Sequence, residues 1–262
     1  MSTPAYHPAA LTLENAALTS QRDPEQLILK EVNWTVLPDE FWVVAGPQHA
    51  GKTDLLLHAA GLMTPAAGSC KIYGCDTHAF GEAQLAERLR MGFVFADDKL
   101  FSQLTIAQNL ALPLRYHRNL SDAEAARTVE LLLELLELGP MAGLTPANVP
   151  AGWRHRAALG RALVLKPQLL LLDNPLGNLP ARQQTWLLNF LEQLSQGHPL
   201  LDNCKLTIIA TTDDLRPWQN PRRKFAVLQG GSLQDLGHWG GPAFATHAVV
   251  QDLLLSSSDF KP

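Results

Sequence analysis

The segment "GPQHAGKT", residues 46–53, constrains this chain more than any other. It fits the pattern G-x-x-x-x-G-K-[ST], follows the apolar run "FWVVAG" and opens "KTDLLLHAAGL", a stretch of helical spacing that stops at Gly61. A glycine-rich loop between a buried strand and a helix aims backbone N–H groups and the positive end of the helix dipole at one point, which suits a phosphate. The candidate nucleotide-binding set is therefore Gly46, Pro47, Gln48, His49, Ala50, Gly51, Lys52, Thr53 and Asp54. In such a loop the lysine reaches the β and γ oxygens of ATP and the hydroxyl sits on Mg²⁺. Asp173 ends the run "LLLL" and is expected to hold the same Mg²⁺ opposite Thr53.

The flanking pattern predicts an α/β fold with a mostly parallel sheet. "MGFVFA", "QLLLLDNP" and "KLTIIATT" read as buried strands separated by helical stretches such as "ARQQTWLLNFLEQL". "ALTLENAAL" reads as an edge strand, "LILKEVNWTVL" as two strand pieces, "EAQLAERLR" as a helix and "FAVLQGGSLQDLG" as a hairpin turning at Gly230 and Gly231. A helix-rich block over about 97–160 interrupts the alternation. Within it Ser121 and Glu124 form a capping box, and Val129, Leu132, Leu133 and Leu136 recur as an inward-facing stripe. Residues 1–10 read as a leader, 11–240 as one domain and 241–262 as a short tail.

Composition excludes several classes. With 46% hydrophobic residues the chain can fill a core, and a net charge of −4 gives no pull toward nucleic acid. "RPWQNPRRK", residues 216–224, is expected to be a solvated turn. Three cysteines without CxxC spacing argue against a disulfide framework or zinc site, and nine scattered histidines offer no metal site. Residues 1–10 lack the pattern of a signal peptide, and no apolar run reaches the ~18 residues a spanning helix needs. Membrane contact is expected only through a partner, from the cytoplasm.

The order of these segments resembles the ATP-binding subunit of an ABC transporter, collinearly from about residue 11 to residue 236. "GLMTPAAGSCKIYG", "FVFADDKLFSQLTIAQNLALPL" and "RHRAALGRALVLKPQLLLLDNP" carry the resemblance beyond the phosphate loop. It implies a P-loop NTPase of ABC type: a RecA-like core sheet, an N-terminal antiparallel β part and an inserted helical subdomain. It also implies ATP and Mg²⁺ as cofactors, and as partners membrane subunits and a second ATP-binding subunit, identical or different.

Carried over residue by residue, the family's catalytic pattern is altered. The adenine-stacking aromatic falls near Ser20, and the Q-loop glutamine falls on Ala96. The signature LSGGQ falls on Val149, Pro150, Ala151, Gly152 and Trp153. The acid after the magnesium aspartate falls on Asn174, the D-loop aspartate on Pro180 and the switch histidine on Thr212. Asn174 can hydrogen-bond a water but has no useful basicity. Thr212 can donate to a phosphate oxygen but carries no imidazole, while Trp153 is expected to pack in a core or interface and His155 to lie on a helix surface.

This pattern implies Mg·ATP binding with little hydrolysis and a dimerising or scaffolding role. An active ATPase would need an unusual base, for which Asp97, Asp98, Asp213 and Asp214 are the candidates. A non-transport interaction protein on the same fold is the third reading. "NLALPLRYHRNLSDAEAAR" is similar to the corresponding stretch of lipid-trafficking, Mla-type ATPases, which implies a lipid cargo.

Overall fold

The computed structural model describes residues 8–79, 84–177 and 179–255. Apolar runs build its centre. β1 (Leu11–Thr19) and β2 (Leu27–Val36) come first, and β3 (Phe41–Ala45) then enters the middle of the molecule, buried at every residue. The phosphate loop follows, then α1 (Lys52–Ala59), β4 (Ala67–Ile72), β5 (Cys75–Asp76), α2 (Leu85–Arg88) and β6 (Met91–Val94). Of the helix expected around α2, residues 82–83 lie outside the described residues.

The helix-rich block appears as α3 (Ile106–Arg118), α4 (Asp122–Leu135) and α5 (Ala151–Leu163), between β6 and the next core strand, β7 (Leu169–Leu172). At the start of α4 the Glu124 amide donates to the Ser121 hydroxyl and the Ser121 amide donates to Glu124, as the capping box requires. Val129, Leu132, Leu133 and Leu136 are all buried. The chain then completes α6 (Ala181–Gln196), β8 (Thr207–Thr212), β9 (Lys224–Gln229), β10 (Ser232–His238), α7 (Pro242–Thr246) and α8 (Ala248–Leu255).

Among the described residues, β10-β9-β3-β8-β7-β6 form a six-stranded sheet, parallel throughout except for the β9–β10 hairpin. Gly230 and Gly231 close that hairpin at φ 58° and 79°, the left-handed pair a two-residue turn needs. Side chains alternate across this sheet and so divide two cores. Val43, Leu170, Leu172 and Ile208 face the helical side. Trp42, Val44, Leu171 and Ile209 face α1 and a second, antiparallel sheet of order β2-β1-β4-β5. Trp34 meets Trp42 edge-on at 5.4 Å where the two sheets pack.

Four expectations need correction. β1 is an inner strand, paired with β2 on one side and β4 on the other, so both rows of its backbone groups are used. β2 is one strand with a bulge where Glu31 turns left-handed at φ 51°, not two pieces. "RPWQNPRRK" is not a solvated turn. Trp218 is fully buried edge-on to Phe41, and Arg223 is buried beside Glu192 at 3.3 Å, over the same rings. The stretch after 240, read as a tail, contributes Phe244, Val250 and Leu253 to the helical-side core through α7 and α8. Residues 1–7 and 256–262 lie outside the described residues, while Ala10, placed in the leader, is buried. Among the described residues, no helix is long and apolar enough to cross a membrane.

Candidate nucleotide-binding site

The parallel register brings the candidate residues to one edge of the sheet. Ala45 pairs with Thr212, Leu172 with Ala210 and Val94 with Leu172. The loop beginning at Gly46, Asp173 and Asn174 after β7, Thr211 and Thr212 ending β8, and Ala96 after β6 therefore all lie at the carboxyl ends of adjacent strands. Ligands of open α/β sheets bind at this edge.

The loop is shaped by close backbone approaches. The Gly46 amide donates to the Thr212 carbonyl at 3.2 Å, and a side chain at Gly46 would meet the Leu228 carbonyl at 2.7 Å. The Ala50 amide donates to Pro47, and the Leu55 amide donates to Gly51, which sits at φ 92° before α1. Lys52 arches over the loop with Nζ 2.7 Å from the carbonyl oxygens of both Gly46 and Pro47. Burial lowers the Lys52 pKa, and the charges of Asp213 and Asp173 partly offset this.

His49 stands at φ 63°, a left-handed conformation that costs a non-glycine residue roughly 1–2 kcal/mol. His49→Gly is therefore expected to stabilise the protein by about 1 kcal/mol, once glycine's greater unfolded-state freedom is counted. Urea unfolding curves with unchanged slope are the check; a destabilised variant would show that the imidazole makes a compensating contact.

The metal side is assembled by two hydroxyls. The Thr53 hydroxyl donates to Asp173 Oδ2 at 2.9 Å, and the Thr211 hydroxyl donates to Asp173 Oδ1 at 3.0 Å. Asp173 is 5% exposed, and its pKa is raised, chiefly by burial, against the hydrogen bonds from Thr53 and Thr211 and the charge of Lys52. A buried carboxylate and a threonine hydroxyl at the mouth of an anion-binding loop are hard oxygen donors that fit Mg²⁺. Sequence reasoning missed Thr211. Its signal was its place at the end of the strand next to the one that ends at Asp173. Also missed was the Gln21 amide, which donates to Asp54 Oδ1 at 2.6 Å and ties the chain after β1 to the first turn of α1.

Two cavities, each of about 460 Å³, flank the loop. One is lined by Ser20, Arg22, Ile28, His49, Lys52 and Asp54, with no Phe, Tyr or Trp among its described lining residues. The other is lined by Gln48, Asn174, Gly177, Thr212, Asp213 and Arg216, among others. Asn174 adopts φ 42°, which asparagine tolerates better than most residues. Gly177 leaves room for it, since a Cβ there would lie 2.5 Å from Asn174 Nδ2. The Thr212 hydroxyl, which can donate to a phosphate oxygen, is instead engaged within its own turn. It donates to the Asp214 carbonyl at 2.8 Å and accepts from the Asp214 amide at 3.1 Å, closing a local turn. Ala96 is exposed and brings no polar group to this edge.

At the start of α5, Pro150 stands at the cap position with no side-chain cap bond. Trp153 is half-buried and packs against the helical-side core, with the Arg156 guanidinium 4.4 Å from its ring centre and 3.7 Å from that of Trp186. Pro180 caps α6 in the same way, without a side-chain bond. His155 corrects another expectation: it is buried, and its Nδ1 lies 2.9 Å from Asp98 Oδ1, because the turn after β6 folds against α5.

The profile of the family described as ABC transporter matches residues 29–177. This chain belongs to the ABC transporter family. The sulfate/thiosulfate import ATP-binding protein CysA of Caulobacter vibrioides is 35% identical over 213 residues, which cover 80% of this chain and 60% of CysA. The CysA of Methylococcus capsulatus is 33% identical over 212 residues, covering 80% of this chain and 58% of its own length. This ABC chain thus spans about 60% of the length of the curated relatives it matches. The fold is similar to that of the ATP-binding cassette MJ0796 in a dimeric post-hydrolysis state bound to ADP and Pi. The TM-score is 0.75 at 25% identity, over 87% of this chain and 98% of that one. The ABC assignment accounts for the P-loop fold, the parallel sheet and the added antiparallel sheet together.

Proposed function

We propose that this chain is the ATP-binding subunit of an ABC transport system, that it holds Mg·ATP, and that it turns it over slowly. Lys52 and the loop amides would take the phosphates, and Thr53 with Asp173 would hold Mg²⁺, which supplies charge neutralisation at the β and γ oxygens. The observation that carries the reading is the intact Thr53–Asp173 pair beside the loop, followed at once by Asn174. A kept grip next to a group without basicity favours binding over cleavage. Ala96, Pro150, Pro180 and Thr212 weaken the same reaction from other sides, since they lack a carboxamide, a hydroxyl, a carboxylate and an imidazole. Nucleotide occupancy, more than turnover, is then the output, through dimerisation or scaffolding.

The partners follow from the surface and the family. A groove of about 850 Å³ beside β6 and α3 is lined by Phe93, Phe95, Phe101, Leu104 and Tyr116, with Phe101 and Tyr116 exposed. It offers an apolar seat for a helical segment of a membrane subunit, and it supports a position on the cytoplasmic face, bound to the membrane through that partner. The dimeric state of MJ0796 supports pairing with a second ATP-binding subunit. The relatives compared above import sulfate and thiosulfate. They lend nothing to the lipid cargo suggested by residues 109–127.

Calorimetry tests the central claim. The purified chain is expected to bind Mg·ATP and Mg·ADP, and Lys52→Ala to abolish the heat of binding. Absence of binding by the parent would remove the reading, and turnover at the rate of an unaltered transporter ATPase would remove its catalytic half.

A further inference from the structure

Four acids stood near the altered positions, and the structure separates them. Asp98 is buried against His155. Asp97 pairs with Lys99 at 2.6 Å on the surface. Asp214 takes both oxygens to Arg216, at 2.8 and 2.6 Å, and its backbone holds the Thr212 hydroxyl. Asp213 alone of the four has no hydrogen bond or ion pair among the described residues, and it lines the cavity shared by Gln48, Asn174 and Thr212.

Its position is fixed by its neighbours. Thr212 is anchored to the phosphate loop through the Gly46 amide, and the Thr212–Asp214 turn with its Arg216 clamp holds the residue between them. Asp213 shares that cavity with Pro47 and Gln48 of the phosphate loop, and its negative charge acts on Lys52. Asn174, two residues past the end of β7, lines the same cavity and carries an amide that can both donate and accept.

We infer that Asp213 is the carboxylate that accepts the proton of the attacking water in the slow hydrolysis, with Asn174 orienting that water. This rests on the reading that Mg·ATP occupies the loop. The water oxygen forms a bond to the γ-phosphorus as the bond from that phosphorus to the β–γ bridging oxygen breaks. The electron pair leaves with ADP, and the water proton passes to Asp213 and then to solvent at the open side of the cavity. The products are ADP and inorganic phosphate. A carboxylate in this role contributes ~10²–10⁴ in rate, and an amide in its place contributes none of it.

The test compares Asp213→Asn and Asp213→Glu with the parent chain by Mg·ATP calorimetry, single-turnover hydrolysis and retention of ADP with aluminium fluoride. Asp213→Asn is expected to turn over about 100-fold more slowly and to lose the aluminium fluoride complex, with Mg·ATP affinity changed less than about threefold. Asp213→Glu is expected to keep roughly a tenth of the rate or more, since it retains the base. Parent-like turnover and trapping in Asp213→Asn overturns the assignment, and so does a parent whose turnover does not exceed that of Lys52→Ala. In both cases Mg·ATP still binds the parent; a parent that binds no nucleotide overturns instead the reading on which the inference rests.

Discussion

Asp173→Asn is expected to make the nucleotide-free protein more stable and to cost it about 100-fold in affinity for Mg·ATP. The Asp173 carboxylate is almost wholly buried, and burial is the largest influence raising its pKa. Its folded pKa lies above its unfolded one, so the folded state holds the proton more tightly. Stability at acid pH therefore falls as pH rises through the unfolded value toward the folded one, and the penalty persists at neutral pH. The amide removes that penalty and still accepts a hydrogen bond from Thr53 or Thr211. Calorimetric melting at pH 7 should show a higher Tm for the variant, with the gap narrowing in acid. The same change removes the anionic metal donor, so adding Mg²⁺ should no longer tighten ATP. A variant that melts lower would mean that the Thr53 and Thr211 bonds to the charged form outweigh its desolvation.

The phosphate loop and Asp173 were legible because their context is local: a buried run, a glycine-rich turn, a helix and an acid at a strand end. The same is true of the Ser121 cap and the Gly230–Gly231 hairpin. What local pattern does not contain is which segments become neighbours. β1 alternates like an edge strand, yet β2 and β4 both pair with it. His155 sits in a polar run and is buried only because Asp98 folds against it across 57 residues. Arg223 looks like one more surface cation, but Phe41 and Trp218 lie beneath it and Glu192 beside it. At the site itself, the sequence shows which residue types stand at each motif position. It could not tell Asp213 from Asp214, because that difference depends on which of them the Arg216 guanidinium engages.

Asn174→Glu is expected to raise single-turnover hydrolysis about 100-fold. It restores a proton acceptor directly after Asp173, just past the end of β7, in the cavity it shares with Thr212. The gain carries a structural cost. Asn174 occupies φ 42°, which glutamate adopts less readily, and it lines the cavity with Gln48 and Asp213. The variant should therefore unfold about 1 kcal/mol more easily while cleaving faster. Asp213 lines the same cavity, so the two carboxylates would repel, and Asn174→Glu/Asp213→Asn should be the faster of the two glutamate variants. An unchanged rate at saturating Mg·ATP, with the glutamate variant folded and binding, would move the deficit away from the base. It would then lie at the start of α5, where Pro150 offers neither hydroxyl nor N–H to a phosphate held by a second subunit.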